Sequence, residues 1–174
     1  MSKWVSIRPS RLAVQELESG PLHRFQDWPN DQVPKRAAGV YTVWDGDRLV
    51  YVGMSGRAMT AEDLEVSPNG RVVAKGLWTR LNAHASGRRS GDQFCVYVCD
   101  RFVVPALTQS QQQLLAAGGL SLDGLTRRFI RDRLAYRFVV TADGTEAARL
   151  EAEVRRGALS VGRPYLNPLE PPWS

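Results

Sequence analysis

Between residues 39 and 53, GVYTVWDGDRLVYVG, two almost wholly apolar runs, 40–44 and 49–52, flank a polar break that begins at Asp45-Gly46. Two β-rich runs around an Asp-Gly step predict a hairpin over residues 40–53. A three-residue loop, Asp45-Gly46-Asp47, would pair Trp44 with Arg48 and bring Tyr41 opposite Tyr51. A two-residue loop would shift the ladder by one residue and set Tyr41 against Val50 instead.

Upstream, SRLAVQELESG predicts one short helix closed by Gly20, and the prolines and scattered aromatics of PLHRFQDWPNDQVPKRAAG predict an extended arm. Residues 1–36 are therefore expected as an N-terminal extension packed on the core. The stretch 54–75 breaks any regular period and is expected as a long loop. In LWTRLNAHAS, Leu77, Leu81 and Ala85 recur at helical spacing. After the basic loop GRRSGDQ, the run FCVYV (94–98) predicts a strand. QSQQQLLAAGG and SLDGLTRRFIRDRLA predict two helices, and YRFVVT (136–141) another strand. TEAARLEAEVRR predicts a last helix with Thr145 as N-cap and Gly157 at its C-terminal end. No internal repeat or low-complexity tract interrupts this order.

With 174 residues the chain can bury a core without metal or disulfide staples, and it reads as one domain. Its 43% hydrophobic and 24% charged content is that of a soluble globular protein. No apolar run approaches the roughly 18 residues of a membrane span, and MSKWVSIRPSRL lacks the apolar stretch of a secretory signal. A cytoplasmic location is the expectation. Cys95 and Cys99 are expected as a reduced core pair on one face of their strand. His23 and His84 are too few, and too far from those cysteines in sequence, to suggest structural zinc. The net charge of +5 favours a polyanionic partner.

Two facial arguments carry chemistry. In the last helix Ala147, Leu150, Glu151 and Val154 follow i, i+3, i+4, i+7, which sets a carboxylate on the apolar face. An ionised, unpaired carboxylate there is costly and needs a cation: either an arginine, Arg80 being one candidate, or a hard metal ion that takes oxygen donors. In the helix over 77–86, Arg80 and His84 lie together at i and i+4, beside the buried stripe, where the helix meets the sheet.

In order along the chain, Gly39-Val40-Tyr41, Tyr51-Val52-Gly53, Arg80 with His84, Glu151, and Asn167 in RPYLNP resemble the GIY-YIG endonuclease family, with Val in place of Ile in both triplets. The resemblance covers residues 39 to about 168. It implies an α+β fold: a small, mostly antiparallel central sheet flanked by helices. Residues 37–174 would form the nuclease domain, with residues 99–135 inserted relative to a minimal member. It also implies metal-dependent hydrolysis of phosphodiester bonds in double-stranded or branched DNA, in preference to RNA, by a monomer or dimer. Glu151 would hold a single Mg²⁺ or Mn²⁺, and Arg80 would stabilise the developing charge. Tyr41 would take the proton of the attacking water, its pKa lowered by Arg80 and the metal. Tyr51 would orient water or phosphate, His84 would bind phosphate or assist proton transfer, and Asn167 would brace the site.

Arg57, Arg71, Lys75, Arg88 and Arg89 are candidate phosphate contacts. Arg127, Arg128, Arg131 and Arg133 read equally as phosphate contacts or as a solvated helix face. The competing class is a nucleic-acid-binding module of the same fold that does not cut.

Overall fold

The computed structural model of the chain describes residues 11–60, 62 and 73–167. Its centre is β3 (Gly39–Asp45), a run of β-branched and aromatic residues with neighbours on both edges and both faces. β3 pairs antiparallel with β4 (Arg48–Ser55) and with β6 (Leu134–Val140), and β6 pairs antiparallel with the short β1 (His23–Arg24). The four-stranded sheet runs β1-β6-β3-β4, and a separate parallel pair joins β2 (Arg36–Ala37) to β5 (Lys75–Gly76).

Helices cover both faces. On one side α1 (Arg11–Ser19) and α6 (Gly144–Arg155) bury Leu17, Ala147, Leu150 and Val154 against Val40, Trp44, Leu49 and Val52. On the other, α2 (Leu77–Ser86), α3 (Gln93–Val98) and α5 (Leu122–Arg133) bury Leu77, Leu81, Phe94, Val98 and Ile130 against Tyr41, Val43, Val50 and Tyr136. The two sets of β3 residues alternate strictly, as a pleated strand requires. The fold is thus α+β, an antiparallel sheet flanked by helices.

The hairpin is present in neither expected register. Gly46 and Asp47 form the turn, Asp45 pairs with Arg48 and Trp44 with Leu49, and a bulge then puts Val43 opposite Tyr51 and Tyr41 opposite Gly53. Nor is the run at 94–98 a strand. Asp92 caps it as a helix through its side chain, and α3 continues into a π-helical turn, Cys99–Val103. A short apolar run with aromatic and β-branched residues fits either state by pattern. Here burial of Phe94, Cys95, Val98 and Cys99 on one helical face decides it. Cys95 and Cys99 are free and buried.

The N-cap of α6 is Asp143 rather than Thr145: its carboxylate accepts from the Glu146 N–H at 2.8 Å, and the Glu146 carboxylate in turn accepts from the Ala142 N–H. Residues 11–36 pack on the core as α1, β1 and a 3₁₀ turn at Phe25–Asp27, with Leu17 and Phe25 fully buried. In the segment 99–135, α4 (Gln109–Ala116) is held by a Thr108–Gln111 capping box, and Cys99, Val103 and Leu125 form a third small core. Ile130 of the same segment belongs to the main core. No helix among the described residues is long and apolar enough to cross a membrane.

Candidate active site

The bulge in β4 decides which way Tyr51 faces. Leu49 points toward α6, so strict alternation would send Tyr51 to that side as well. The extra residue, Val50, lets Val50 and Tyr51 both turn toward α2 and α3. Tyr41 and Tyr51 thereby share a face, diagonal to one another, with ring centroids 6.4 Å apart. Gly53 lies opposite Tyr41, and a Cβ there would fall on the Tyr41 hydroxyl. A Cβ on Gly39 would strike Val139 and Leu77, so this glycine lets α2 pack tightly on the sheet.

Both tyrosines line a cleft of about 460 Å³ together with Gly53, Arg57, Arg80, His84, Asp92, Phe94, Glu151 and Arg155. α2 supplies Arg80 to its rim and buries His84, four residues on, at 1% exposure. α6 supplies Glu151 one turn from the fully buried Ala147 and Val154.

At the floor three buried polar side chains form a chain. The Tyr41 hydroxyl lies 2.6 Å from His84 Nε2, and His84 Nδ1 lies 2.6 Å from Asp92 Oδ2. Asp92 Oδ1 accepts from the Phe94 N–H at 3.1 Å. Asp92 is the functional candidate that the sequence pattern missed. Glycine at residue 87, in the left-handed conformation (φ 69°), ends α2, and the following turn returns the chain so that the N-cap of α3 meets the imidazole. The signal that could have found it is the Gly87 stop followed by an Asp two residues before an apolar run.

Electrostatics fix the proton positions. Burial would raise the Asp92 carboxyl, but its bonds to His84 and Cys95 outweigh this and hold it below the usual carboxylate range. Burial pushes His84 below its ordinary value, against the pull of Asp92. An ionised carboxylate only accepts hydrogen bonds, so His84 Nδ1–H donates to Asp92, Nε2 keeps its lone pair, and the Tyr41 O–H donates to Nε2. Burial, reinforced by Tyr51, raises Tyr41 well above the usual phenol range. Arg80 acts in the expected lowering sense but is outweighed by burial. Tyr51 is pushed up to about 12, chiefly by burial and then by Asp92 and Glu151.

Glu151 is half-buried, with 15% of its side chain exposed, and burial raises its pKa against the opposing charges of Arg155, Arg57 and Arg156. Its ion pair is a loose one with Arg155, at 3.8 Å, rather than the pair with Arg80 weighed from the sequence. A desolvated carboxylate on an open, polar cleft fits a hard divalent cation that fills its remaining positions with water and phosphate oxygens. His84, Asp92 and Cys95 also place potential ligand atoms within 4.8 Å of one another, although sequence spacing gave no reason to expect it. In that group both imidazole nitrogens are engaged, the Cys95 thiol donates to the His84 carbonyl at 3.6 Å, and burial raises the thiol's pKa far above its usual value. Its atoms are taken up in a closed hydrogen-bonded network with a protonated thiol, which leaves Glu151 as the better match to a Mg²⁺-type ion.

Asn167 does not line the cleft but clamps its wall. Its Oδ1 accepts from the Val52 N–H at 2.7 Å and its Nδ2 donates to the Val52 carbonyl at 2.9 Å. Of the basic residues, Arg57 is exposed on the cleft, and Lys75 and Arg88 are exposed elsewhere. Arg89 is ion-paired with Asp123 at 2.7 Å. Arg71 lies outside the described residues. Arg127 and Arg128 are exposed. Arg131 donates to the carbonyls of Ala85 and Trp28, and Arg133 to Asp45. Arg131 is therefore committed to the fold.

Comparison with protein families, with curated proteins and with solved structures gives no match to this chain.

Proposed function

We propose that the chain is a metal-dependent endonuclease of the GIY-YIG kind, hydrolysing phosphodiester bonds in DNA. The observation that carries this reading is the convergence of Tyr41, Tyr51, Arg80, His84 and Glu151, drawn from four separate elements, on one cleft. Phosphodiester hydrolysis needs a water stripped of a proton, charge relief at the phosphate and an ordered pocket, and these side chains supply each.

Arg80, on the cleft rim, grips two phosphate oxygens in a planar fork. Arg57 adds positive charge to the lining of the same cleft. Tyr41, at the floor, accepts the proton of the attacking water, and Tyr51 orients that water or the phosphate. Glu151 would hold one Mg²⁺ or Mn²⁺, which supplies Lewis-acid charge relief at the phosphate when bound. Asn167 braces the strand from which Tyr51 projects. The net charge of +5 favours a polyanion over a small neutral substrate.

The test is incubation of the purified protein and its Glu151→Ala variant with supercoiled plasmid and Mg²⁺ or Mn²⁺. Metal-dependent nicking that disappears in the variant supports the reading. DNA binding without cleavage by either protein would replace it with a non-cutting binding module.

A further inference from the structure

We infer that Asp92 is a positioning residue for Tyr41: it holds His84 as the Nδ1–H tautomer, so that Tyr41 passes its own proton to His84 Nε2 while taking one from the attacking water. The inference rests on the nuclease reading of the cleft and adds to it the final destination of the proton.

Three observations lead there. First, the chain Asp92–His84–Tyr41 is short and continuous, 2.6 Å at each link, and each member is at most 4% exposed. Second, the direction of the bonds is set from the Asp92 end, because a carboxylate cannot donate. The Tyr41 proton points at His84, and the remaining lone pairs of its oxygen are free to accept from a water in the cleft. Third, a buried tyrosinate is disfavoured here. A tyrosine that first ionised and then acted as base would work against its surroundings, whereas a tyrosine that gives and takes a proton in one step never carries the charge.

The step balances. The water oxygen forms the bond to phosphorus as its proton moves to the Tyr41 oxygen, and the Tyr41 proton moves to His84 Nε2. The imidazolium is stabilised by the Asp92 carboxylate. The bond from phosphorus to the leaving oxygen breaks, and that oxygen takes a proton from solvent. After the product leaves, His84 returns its proton through Tyr41 to water.

Capping alone does not account for Asp92. One oxygen satisfies the Phe94 N–H, a task a serine performs equally well. A buried histidine that needs only an acceptor can find it in a backbone carbonyl. A carboxylate held ionised in the floor of a cleft does more, because it favours a positive charge on the ring beside it. The other charged or titratable groups around His84 are Tyr41 on β3, Tyr51 on β4, Arg80 on its own helix and Cys95 on α3, with Glu151 acting on both tyrosines from α6.

The test has two arms. The chain contains two histidines, so ¹⁵N-histidine NMR reads the tautomer of His84 directly in the whole protein. Wild type is expected to show Nδ1–H at neutral pH. In Asp92→Asn the side-chain oxygen that caps Phe94 leaves an amide N–H₂ facing His84 Nδ1, so the tautomer is expected to invert to Nε2–H. The second arm measures single-turnover plasmid nicking. Asp92→Asn is expected to fall about 10²–10⁴-fold with DNA affinity unchanged, and to cause no further loss in a His84→Gln background. An unchanged tautomer, an unchanged rate, or an equal loss in both backgrounds would overturn the inference. Should Asp92→Asn not fold, Asp92→Ser keeps the cap and removes the acceptor; a wild-type rate in that variant would overturn it too. A wild-type protein that cuts no DNA fails the nuclease reading itself, and that result is seen before any variant is made.

Discussion

Gly53 sits directly across the β3–β4 ladder from Tyr41, and the tyrosine hydroxyl occupies the space where a side chain at 53 would begin. The glycine is thereby tied to the placement of the Tyr41 hydroxyl. In Gly53→Ala the new methyl meets the Tyr41 hydroxyl and the edge of the Tyr51 ring. Overpacking of this kind costs about 1–3 kcal/mol, measurable by denaturant titration. The nicking rate should fall further than the stability loss explains, since the Tyr41–His84 bond is displaced. Wild-type nicking in Gly53→Ala would show that Tyr41 need not lie there.

Burial of Glu151 works against its ionised form, and the nuclease reading assigns that same carboxylate to the metal. Its folded pKa is raised, so the ionised form is less favourable in the fold than in the open chain at neutral pH. Glu151→Gln is therefore expected to melt at the wild-type temperature or above it at pH 7 in EDTA, while metal-dependent nicking is lost. A clear drop in melting temperature would mean that the pair with Arg155 is structural.

Stability should fall with acid for a stated reason. The folded pKa of His84 lies below its ordinary value of 6.5, so the unfolded chain takes up a proton before the folded one does. The contribution of neutral His84 is complete above that value and declines as pH drops through it. His23 is lowered by burial in the same sense. Melting temperature should decline from pH 7.5 to 5.5, and His84→Gln should flatten much of that slope. Asp92, with its lowered pKa, adds a further loss only at more acidic pH, as its carboxylate protonates.

The basic residues should separate by role. Arg57→Ala and Arg88→Ala are expected to weaken DNA binding at every sequence and to reduce the slope of log affinity against log salt by about 0.9 each. Arg89→Ala should do less, because Asp123 already holds that guanidinium. Arg131→Ala should lower stability instead, having lost two bonds to backbone carbonyls. Fluorescence anisotropy across a salt series, with melting curves alongside, distinguishes the two classes.

What could be read from the sequence was local. The stripe that buries Ala147, Leu150 and Val154 and brings Glu151 to the cleft is set by helical period within twelve residues. The same period buries Leu77, Leu81 and Ala85 of α2. The shared face of the two tyrosines was foreseen for a different register. It comes from the bulge at Val50, which answers to packing on both sides of the sheet rather than to the turn alone. The state of residues 94–98 hinges on the Asp92 cap and on burial against β4 and α5, neither visible in an apolar run. Asp92 was missed because its bond to His84 is made by a chain reversal at Gly87, not by any fixed spacing.

The Asn167 clamp on Val52 has a consequence for how copies of this chain can meet. β4 is an edge strand, and edge strands with open N–H and C=O groups recruit strands from other molecules. Tyr165 and Leu166 donate their backbone N–H groups to the Leu49 and Val50 carbonyls, and the Asn167 amide takes both backbone groups of Val52. Three residues of the tail thus stand in for a missing fifth strand, and the strand that carries Tyr51 is closed to intermolecular β-pairing over that length.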